Sequence, residues 1–411
     1  MRKKLLTLTM AITMMATVTA CGNDDAKQSK KGNFGGNNRQ EITEEAVCII
    51  PEGGEYKVYA TGKVLGVGDE MPIMAEKGDR YSYGEYKYRM QEDGWEVELE
   101  MSDDNYNKTS FGEILGSIAG APIVDVSGLF AGCASMIESP VIPLTVTDMS
   151  FTYNGCVSLK EAPEVPSSVT NMNSAFYGCQ SLVEAPEIPS SVINMESTFG
   201  ACISMEKAPK LPEGLTEMYG TFSECWSIKE APEIPSGVTN MESTFYGCKG
   251  LVEAPKIPSG VTNMKRTFSR CVNLVEMPEL PQSVTEMGET FYDCKNMVKA
   301  SAIPAGVTAL RETFYNCVNL VEAPELPESI VDLTMTFYGC ENMVKAPRIP
   351  AGVNKMQRAF FMCTSLTGTI IIDANPSSIY ACFARINFEE QNLELIGETT
   401  MLERFKKTAS N

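Results

Sequence analysis

Apolar and polar residues along most of this chain follow a pattern that repeats every 23 residues. In the unit around Cys179, the apolar positions are Val169, Met172, Phe176, Cys179, Leu182, Ala185 and Ile188. A fixed short period indicates a solenoid, because a one-residue slip would rotate every later side chain off its stack. The register is marked by a column of eleven cysteines: Cys133, Cys156, Cys179, Cys202, Cys225, Cys248, Cys271, Cys294, Cys317, Cys340 and Cys363.

The spacing within one unit predicts two kinds of local structure. In the stretch from Ser168 to Met172, Val169 points inward and Thr170 outward, as expected of a short strand in a parallel ladder. From Met172 to Leu182 the apolar steps are four, three and three, which predicts a helical turn. Two proline columns follow, and they exclude a fully laddered strand because proline lacks the amide donor.

The segments on either side of the repeats break the period. Short runs such as Tyr81 to Met90 and Trp95 to Met101 are typical of strands. Ser110 and Glu113 form a capping box that predicts a helix ending near Gly120. The predicted division is a small β domain at 46–104, an N-terminal cap helix region at 105–122, a solenoid of about eleven coils at 123–372, and a C-terminal cap at 373–411.

The first residues predict the cellular address. Arg2, Lys3 and Lys4 precede an apolar stretch that ends in small residues before Cys21. This resembles a bacterial lipoprotein signal peptide at 1–21, in which Cys21 would receive a diacylglyceryl group; an ordinary secretory signal peptide is the alternative. Residues 22–45 are polar and Gly/Asn-rich, which favours a disordered tether.

Units such as Val238 to Pro258 read Val-Thr-Asn-Met-x-x-Thr-Phe-Tyr-x-Cys-x-x-Leu-x-x-Ala-Pro-x-Ile-Pro. They resemble the BspA-like leucine-rich repeats of bacterial cell-surface proteins, and the resemblance covers residues 123–372. It implies a right-handed, curved solenoid and a role in adhesion to host proteins or other cells. It identifies no ligand, since partners vary among such scaffolds.

The net charge of −19 becomes about −22 without Arg2, Lys3 and Lys4, and so disfavours nucleic acid as a partner. Five residues after each cysteine lies a charged column, which is interpreted either as a solvated ladder or as a docking strip for a basic or glycan partner. Its members are Glu161, Glu184, Lys207, Glu230, Glu253, Glu276, Lys299, Glu322 and Lys345.

Candidate chemistry is sparse. The chain has no histidine, which excludes Ser-His-Asp and Cys-His catalysis. Eleven cysteines on one inward stripe are interpreted as buried thiols rather than as nucleophiles, while disulfides between adjacent coils stay open. A single column is not a tetrahedral zinc cluster, and adjacent carboxylates such as Asp103 and Asp104 are interpreted as turn residues. The sequence therefore predicts no enzyme, no cofactor and no metal.

Two functional hypotheses follow. The favoured one is a lipid-anchored protein on the bacterial cell surface, facing the exterior, whose repeat surface binds an extracellular protein or cell-surface ligand. In the alternative, the β domain binds a glycan and the solenoid is a spacer. The rings that could stack on a sugar, or else form a core, are Tyr81, Tyr83, Tyr86, Tyr88 and Trp95.

Overall fold

The computed structural model describes residues 49–99 and 102–409. The predicted signal peptide, the lipidation site Cys21 and the tether lie outside these residues. The described part consists of an N-terminal sheet, a long series of stacked coils, and a short C-terminal sheet followed by a helix.

Among the described residues, the N-terminal sheet has seven strands in the order β2-β1-β3-β4-β5-β7-β6. Neighbouring strands are antiparallel except for β5 and β7, which are parallel. Asp125, at the end of β7, forms a parallel bridge to Asp148, so the sheet leads directly into the first coil. The strands are β1 (Glu55–Lys57), β2 (Val64–Leu65), β3 (Arg80–Tyr83), β4 (Tyr86–Met90), β5 (Trp95–Leu99), β6 (Ser117–Ile118) and β7 (Ala121–Asp125).

The helix predicted from Ser110 to Gly120 was wrong. A single helical turn, α1 (Asp103–Tyr106), lies earlier and is capped by Ser102. Residues 110–116 are irregular because tertiary contacts engage their backbone. The Gly112 N–H donates to the Glu85 carboxylate at 3.1 Å, and the Gly112 carbonyl accepts the Tyr86 hydroxyl at 2.7 Å.

Each coil of the solenoid buries one set of columns and exposes the rest. Val169 is fully buried and Thr170 is exposed, as the alternation predicts. The predicted ladder is present as single-residue parallel bridges, for example from Asn171 to Asp148 and to Asn194. A second line of parallel bridges runs through the charged column, just before the prolines.

The predicted helical turn is instead a series of tight turns. The Ser174 N–H donates to the Glu196 carbonyl in the next coil at 2.8 Å, whereas the Ala175 N–H donates three residues back to Met172 at 3.0 Å. This alternation continues to the cysteine and requires left-handed backbone, with φ of 52° at Ser174. Apolar steps of three and four are compatible with a helical turn and with this series of tight turns. The tight turns form because they allow backbone hydrogen bonds between coils.

A continuous stack of aromatic rings runs through the solenoid from Phe130 to Phe383, with successive centroids 5.2–5.9 Å apart. Phe111 lies against the first ring at 4.9 Å, and Phe405 meets the last ring edge-on at 5.4 Å. Both ends of the stack are therefore covered by aromatic side chains.

The repeat continues beyond the predicted boundary at residue 372. Ser378 forms a parallel bridge to Lys355, and Phe383 stacks on Phe360, each 23 residues later. The strands β8 (Gly368–Ile372) and β9 (Leu393–Gly397) then pair in parallel, and α2 (Thr399–Ala409) follows. The apolar side chains alone did not reveal this last coil because Ile386 replaces the cysteine that marks the register.

Candidate binding surfaces

The cysteine column is a ladder of hydrogen-bond donors. Cys248 Sγ donates to the Phe222 carbonyl at 3.1 Å, and the same bond, at 3.0–3.2 Å, recurs from Cys156 to Cys363. Buried threonines do likewise, with Thr244 Oγ1 donating to the Met218 carbonyl at 2.7 Å. The predicted buried thiols are confirmed, and these thiols are free rather than paired in disulfides.

Burial also keeps these thiols protonated. It raises the pKa of Cys133 to about 11 and that of Cys202 to about 12. Cys382, which does not fit the cysteine column, lies 23 residues after Ala359 in the threonine column and is fully buried. Thiols that are protonated and inaccessible at neutral pH cannot serve as nucleophiles. Any function of the solenoid therefore resides on its exposed columns.

All nine residues of the charged column are exposed. The structure aligns them along the second line of bridges, where Glu161 neighbours Glu184 and Glu230 neighbours Glu253. Farther along, the sign alternates, and two ion pairs of 3.9 Å form, between Lys299 and Glu276 and between Lys345 and Glu322. The column thus has a mainly acidic first half, in which Lys207 is the exception, and an alternating second half.

A column of exposed valines, which was not among the predicted site residues, lies beside the charged one. Its members are Val252, Val275, Val298, Val321 and Val344, each 38–44% exposed. The signal was present in the sequence, because valine occupies the same position in five successive units. A shallow groove lined by residues 298–302 and 321–325 lies across this column.

A second aromatic ladder lies at the surface of the later coils. Tyr292, Tyr315, Tyr338 and Phe361 stack with centroids 4.5–4.7 Å apart and are half-buried. Each ring covers the face of the next, so the ladder presents ring edges to solvent. A sugar-stacking platform needs an open ring face, which this ladder does not present along its length.

The rings proposed for glycan binding in the N-terminal sheet are core residues. Tyr81, Tyr86 and Tyr88 are 1–2% exposed, Trp95 is fully buried, and Tyr83 is half-buried. The Trp95 indole N–H donates to the Ile118 carbonyl at 2.9 Å. The tyrosines do share a face, but that face packs against the sheet's own core. The stacking role proposed for these rings is therefore wrong for the four buried ones, and Tyr83 keeps part of its surface exposed.

Over 49–99 and 102–409, no group of three or more Cys, Asp or Glu side chains is arranged to hold a metal ion. In the same part of the chain, no helix has the length and apolarity needed to cross a membrane.

The chain is similar to a family of repeat proteins and to solved structures. The family model described as BspA type leucine rich repeat region (six copies) matches residues 127–252, 219–333 and 289–403. A leucine-rich repeat protein from Bacteroides ovatus ATCC 8483 is 22% identical with a TM-score of 0.55, over 78% of this chain and 91% of that one. A leucine rich cell surface protein from Faecalibacterium prausnitzii A2-165 is 20% identical with a TM-score of 0.47, over 81% and 98%.

No curated protein matches the chain. The segments matched by the family model together run from residue 127 to residue 403, which is well over half of the chain. The Bacteroides structure shares the fold of the stacked coils. The chain belongs to the family of proteins with BspA-type leucine-rich repeats.

Proposed function

We propose that this protein is a lipid-anchored scaffold on the bacterial cell surface. Its right-handed, curved repeat surface binds an extracellular protein or a cell-surface ligand, without catalysis. Two features support the proposal: the family to which the repeats belong, and the division of each coil into a uniform interior and a varied exterior.

The observation that carries the proposal is this division. Seven residues before each cysteine the side chain is fully buried and nearly constant, as in Met195, Met218 and Met241. One residue later, the side chain is at least partly exposed and changes from coil to coil: Glu196, Tyr219, Glu242, Lys265 and Arg311. A constant frame that displays different groups at fixed spacing suits recognition of a macromolecule.

The anchor is part of the proposal and rests on the sequence. Acyl chains on Cys21 would hold the protein at the membrane, and one acyl chain alone gives only weak binding. A tether of residues 22–45 would place the folded part roughly 25–30 Å from the bilayer. The experiment is to express the full chain and its Cys21→Ser variant with a labelled fatty acid. Label and membrane retention that vanish in the variant support the anchor, and unlabelled wild-type protein refutes it.

Ligand binding is tested by screening the mature chain against matrix proteins, bacterial surfaces and polysaccharides. The informative variant carries Glu184→Lys and Glu230→Lys in the acidic half of the charged column. Its matched control carries Glu55→Lys and Glu394→Lys, which are exposed on β1 and β9 and give the same charge change. Binding lost only in the first variant locates the site on the solenoid.

Equal binding by both variants would show that the site lies outside the acidic half of the charged column. Absence of binding to every protein and cell surface, together with binding to a polysaccharide, would overturn the choice of a protein-binding scaffold.

A further inference from the structure

Four neighbouring coils combine the exposed valines with charges of alternating sign. We call this set the association strip. Its apolar half is Val275, Val298, Val321 and Val344, and its charged half is Glu276, Lys299, Glu322 and Lys345. The two halves share one surface, since valines and charged residues of neighbouring coils, Val298 with Lys299 and Val321 with Glu322, line the same groove.

The strip is held by backbone hydrogen bonds between coils. The Val298 N–H donates to the Val275 carbonyl at 2.9 Å, and the Val344 N–H donates to the Val321 carbonyl at 2.9 Å. Parallel bridges join Glu276 to the next three charged residues in turn. Spacing along the strip is therefore fixed at about 4.8 Å per coil, which makes it a rigid template.

The order of charges in the strip is complementary to its own reverse. Along the chain the signs are minus, plus, minus, plus, so a second strip laid antiparallel places an opposite charge against every charge. We propose that a second copy of this chain docks here, antiparallel, with a two-fold axis between the coils of Val298 and Val321. Glu276 then faces Lys345 of the other copy, Lys299 faces Glu322, and valine faces valine.

The register follows from the charges. An axis through the coil of Lys299 would set that lysine against itself and Glu276 against Glu322, and like charges across an interface oppose association. An axis through the coil of Glu322 has the same fault. The groove between residues 298–302 and 321–325 lies on the favoured axis.

The size of the strip sets the strength of association. Four coils span about 19 Å, and two adjacent columns on each copy would bury roughly 400 Å² in total, well below the ~1,200 Å² of stable complexes. We therefore expect weak pairing that is populated when many copies share one membrane surface, where effective concentration is high. The ligand of the proposed scaffold plays no part in this pairing.

The test uses the mature chain with an N-terminal histidine tag in place of acylated Cys21, held on nickel-lipid vesicles. Donor-labelled and acceptor-labelled copies report pairing by energy transfer. The key variant exchanges all four charges, as Glu276→Lys, Lys299→Glu, Glu322→Lys and Lys345→Glu, so the net charge is unchanged. It remains complementary to itself but places like charges against every charge of the wild-type strip.

Transfer at equal surface density should be about threefold or more higher for wild type with wild type, and for variant with variant, than for the mixture. Equal transfer in all three combinations would show random crowding and overturn the proposal. Higher transfer in the mixture would overturn the antiparallel register.

A second pair of variants tests the valines. Val298→Asp should reduce transfer severalfold, whereas Val183→Asp, at the equivalent position of an earlier coil and similarly exposed, should leave it unchanged. Equal effects of the two substitutions would refute a role for the valines in pairing. Circular dichroism of each variant checks that the fold is intact.

Discussion

The N-terminal sheet and the solenoid hold their backbones together in different ways. In the sheet, β4 and β5 pair over five consecutive residues, from Tyr86 opposite Leu99 to Met90 opposite Trp95. In the solenoid, neighbouring coils share isolated single-residue bridges. Along the tight turns, backbone N–H groups donate alternately to the next coil and to a carbonyl three residues back. Buried side chains add further bonds there, as Thr244 and Cys248 do.

The difference explains why one region repeats and the other does not. Antiparallel strands satisfy each other's backbone hydrogen bonds whatever their side chains, so the sheet core combines unlike residues such as Tyr56, Trp95 and Val97. A coil needs a donor, a ring and an aliphatic group at fixed positions to fit the coil before it. Any unit that departs from the pattern weakens two interfaces at once.

The largest expected effect comes from breaking the register. Removal of residues 239–261 joins Val238 to Thr262 and preserves every column, whereas removal of 239–249 joins Val238 to Gly250 and shifts all later columns. We expect the first deletion to fold and melt cooperatively and the second to fail to fold. Thermal melts followed by circular dichroism distinguish them, and equal damage would contradict the register.

Removal of one ring comes next. Phe268→Ala should cost about 3–5 kcal/mol of unfolding free energy, because it empties a fully buried site between Phe245 and Phe291. Trp95→Ala should cost a similar amount in the sheet. Hydrogen exchange sharpens the comparison: amides should lose protection mainly in adjacent coils for Phe268→Ala and in β4 and β5 for Trp95→Ala. Uniform loss in both variants would contradict local coupling.

Alkaline pH should weaken the solenoid before the sheet. The folded pKa of Cys202 is raised by burial from 9.0 to about 12, so the folded state keeps a proton that the unfolded chain releases. Stability from this thiol is complete below pH 9 and declines toward pH 12, by roughly 1 kcal/mol per pH unit. Burial raises the pKa of Tyr81 from 10.0 to about 12, so the stability that this sheet residue contributes begins to decline one pH unit higher.

Urea unfolding across pH 8–12 measures the slope. Cys202→Ser retains a donor but does not titrate in this range, and it should flatten the profile. An unchanged slope would show that this thiol does not contribute to the pH dependence.

Loss of a single side-chain donor should have a smaller effect. Thr244→Val keeps the shape but removes the bond to the Met218 carbonyl, which also accepts the Thr221 N–H. We expect a cost of about 1 kcal/mol. Thr239→Val is the control, since its hydroxyl is exposed and donates at 3.3 Å. Equal costs in chemical denaturation would mean that buried donors have no special role.

The smallest effect is expected on the outer face. Glu230→Lys should change the unfolding free energy by less than ~0.5 kcal/mol, because the side chain is exposed. The same denaturation assay checks it. A cost comparable with that of Phe268→Ala would show that the charged column is structural rather than available for binding.

The inner columns could be predicted from the sequence because burial imposes apolarity at a fixed period. Val169, Met172, Phe176, Cys179 and Leu182 are all fully buried, as the period requires. The other two apolar positions of the unit, Ala185 and Ile188, are only half-buried. The sequence could place the outer columns on the surface, but it could not show which of them forms a binding site, since exposure does not constrain residue type. Repetition alone therefore did not mark the valine column as a site, and the alternation of the sheet tyrosines was compatible with either a core or an exposed face.

The sequence by itself determined the period, the family, the buried ladder and the side on which the charges lie, because each follows from repetition and polarity. Tertiary structure decided which carbonyl each thiol and threonine contacts, that turns rather than a helix follow Met172, and that Tyr81 and Trp95 face a core. The physical reason is that these outcomes depend on bonds between segments 23 or more residues apart. Local spacing is compatible with more than one set of such partners.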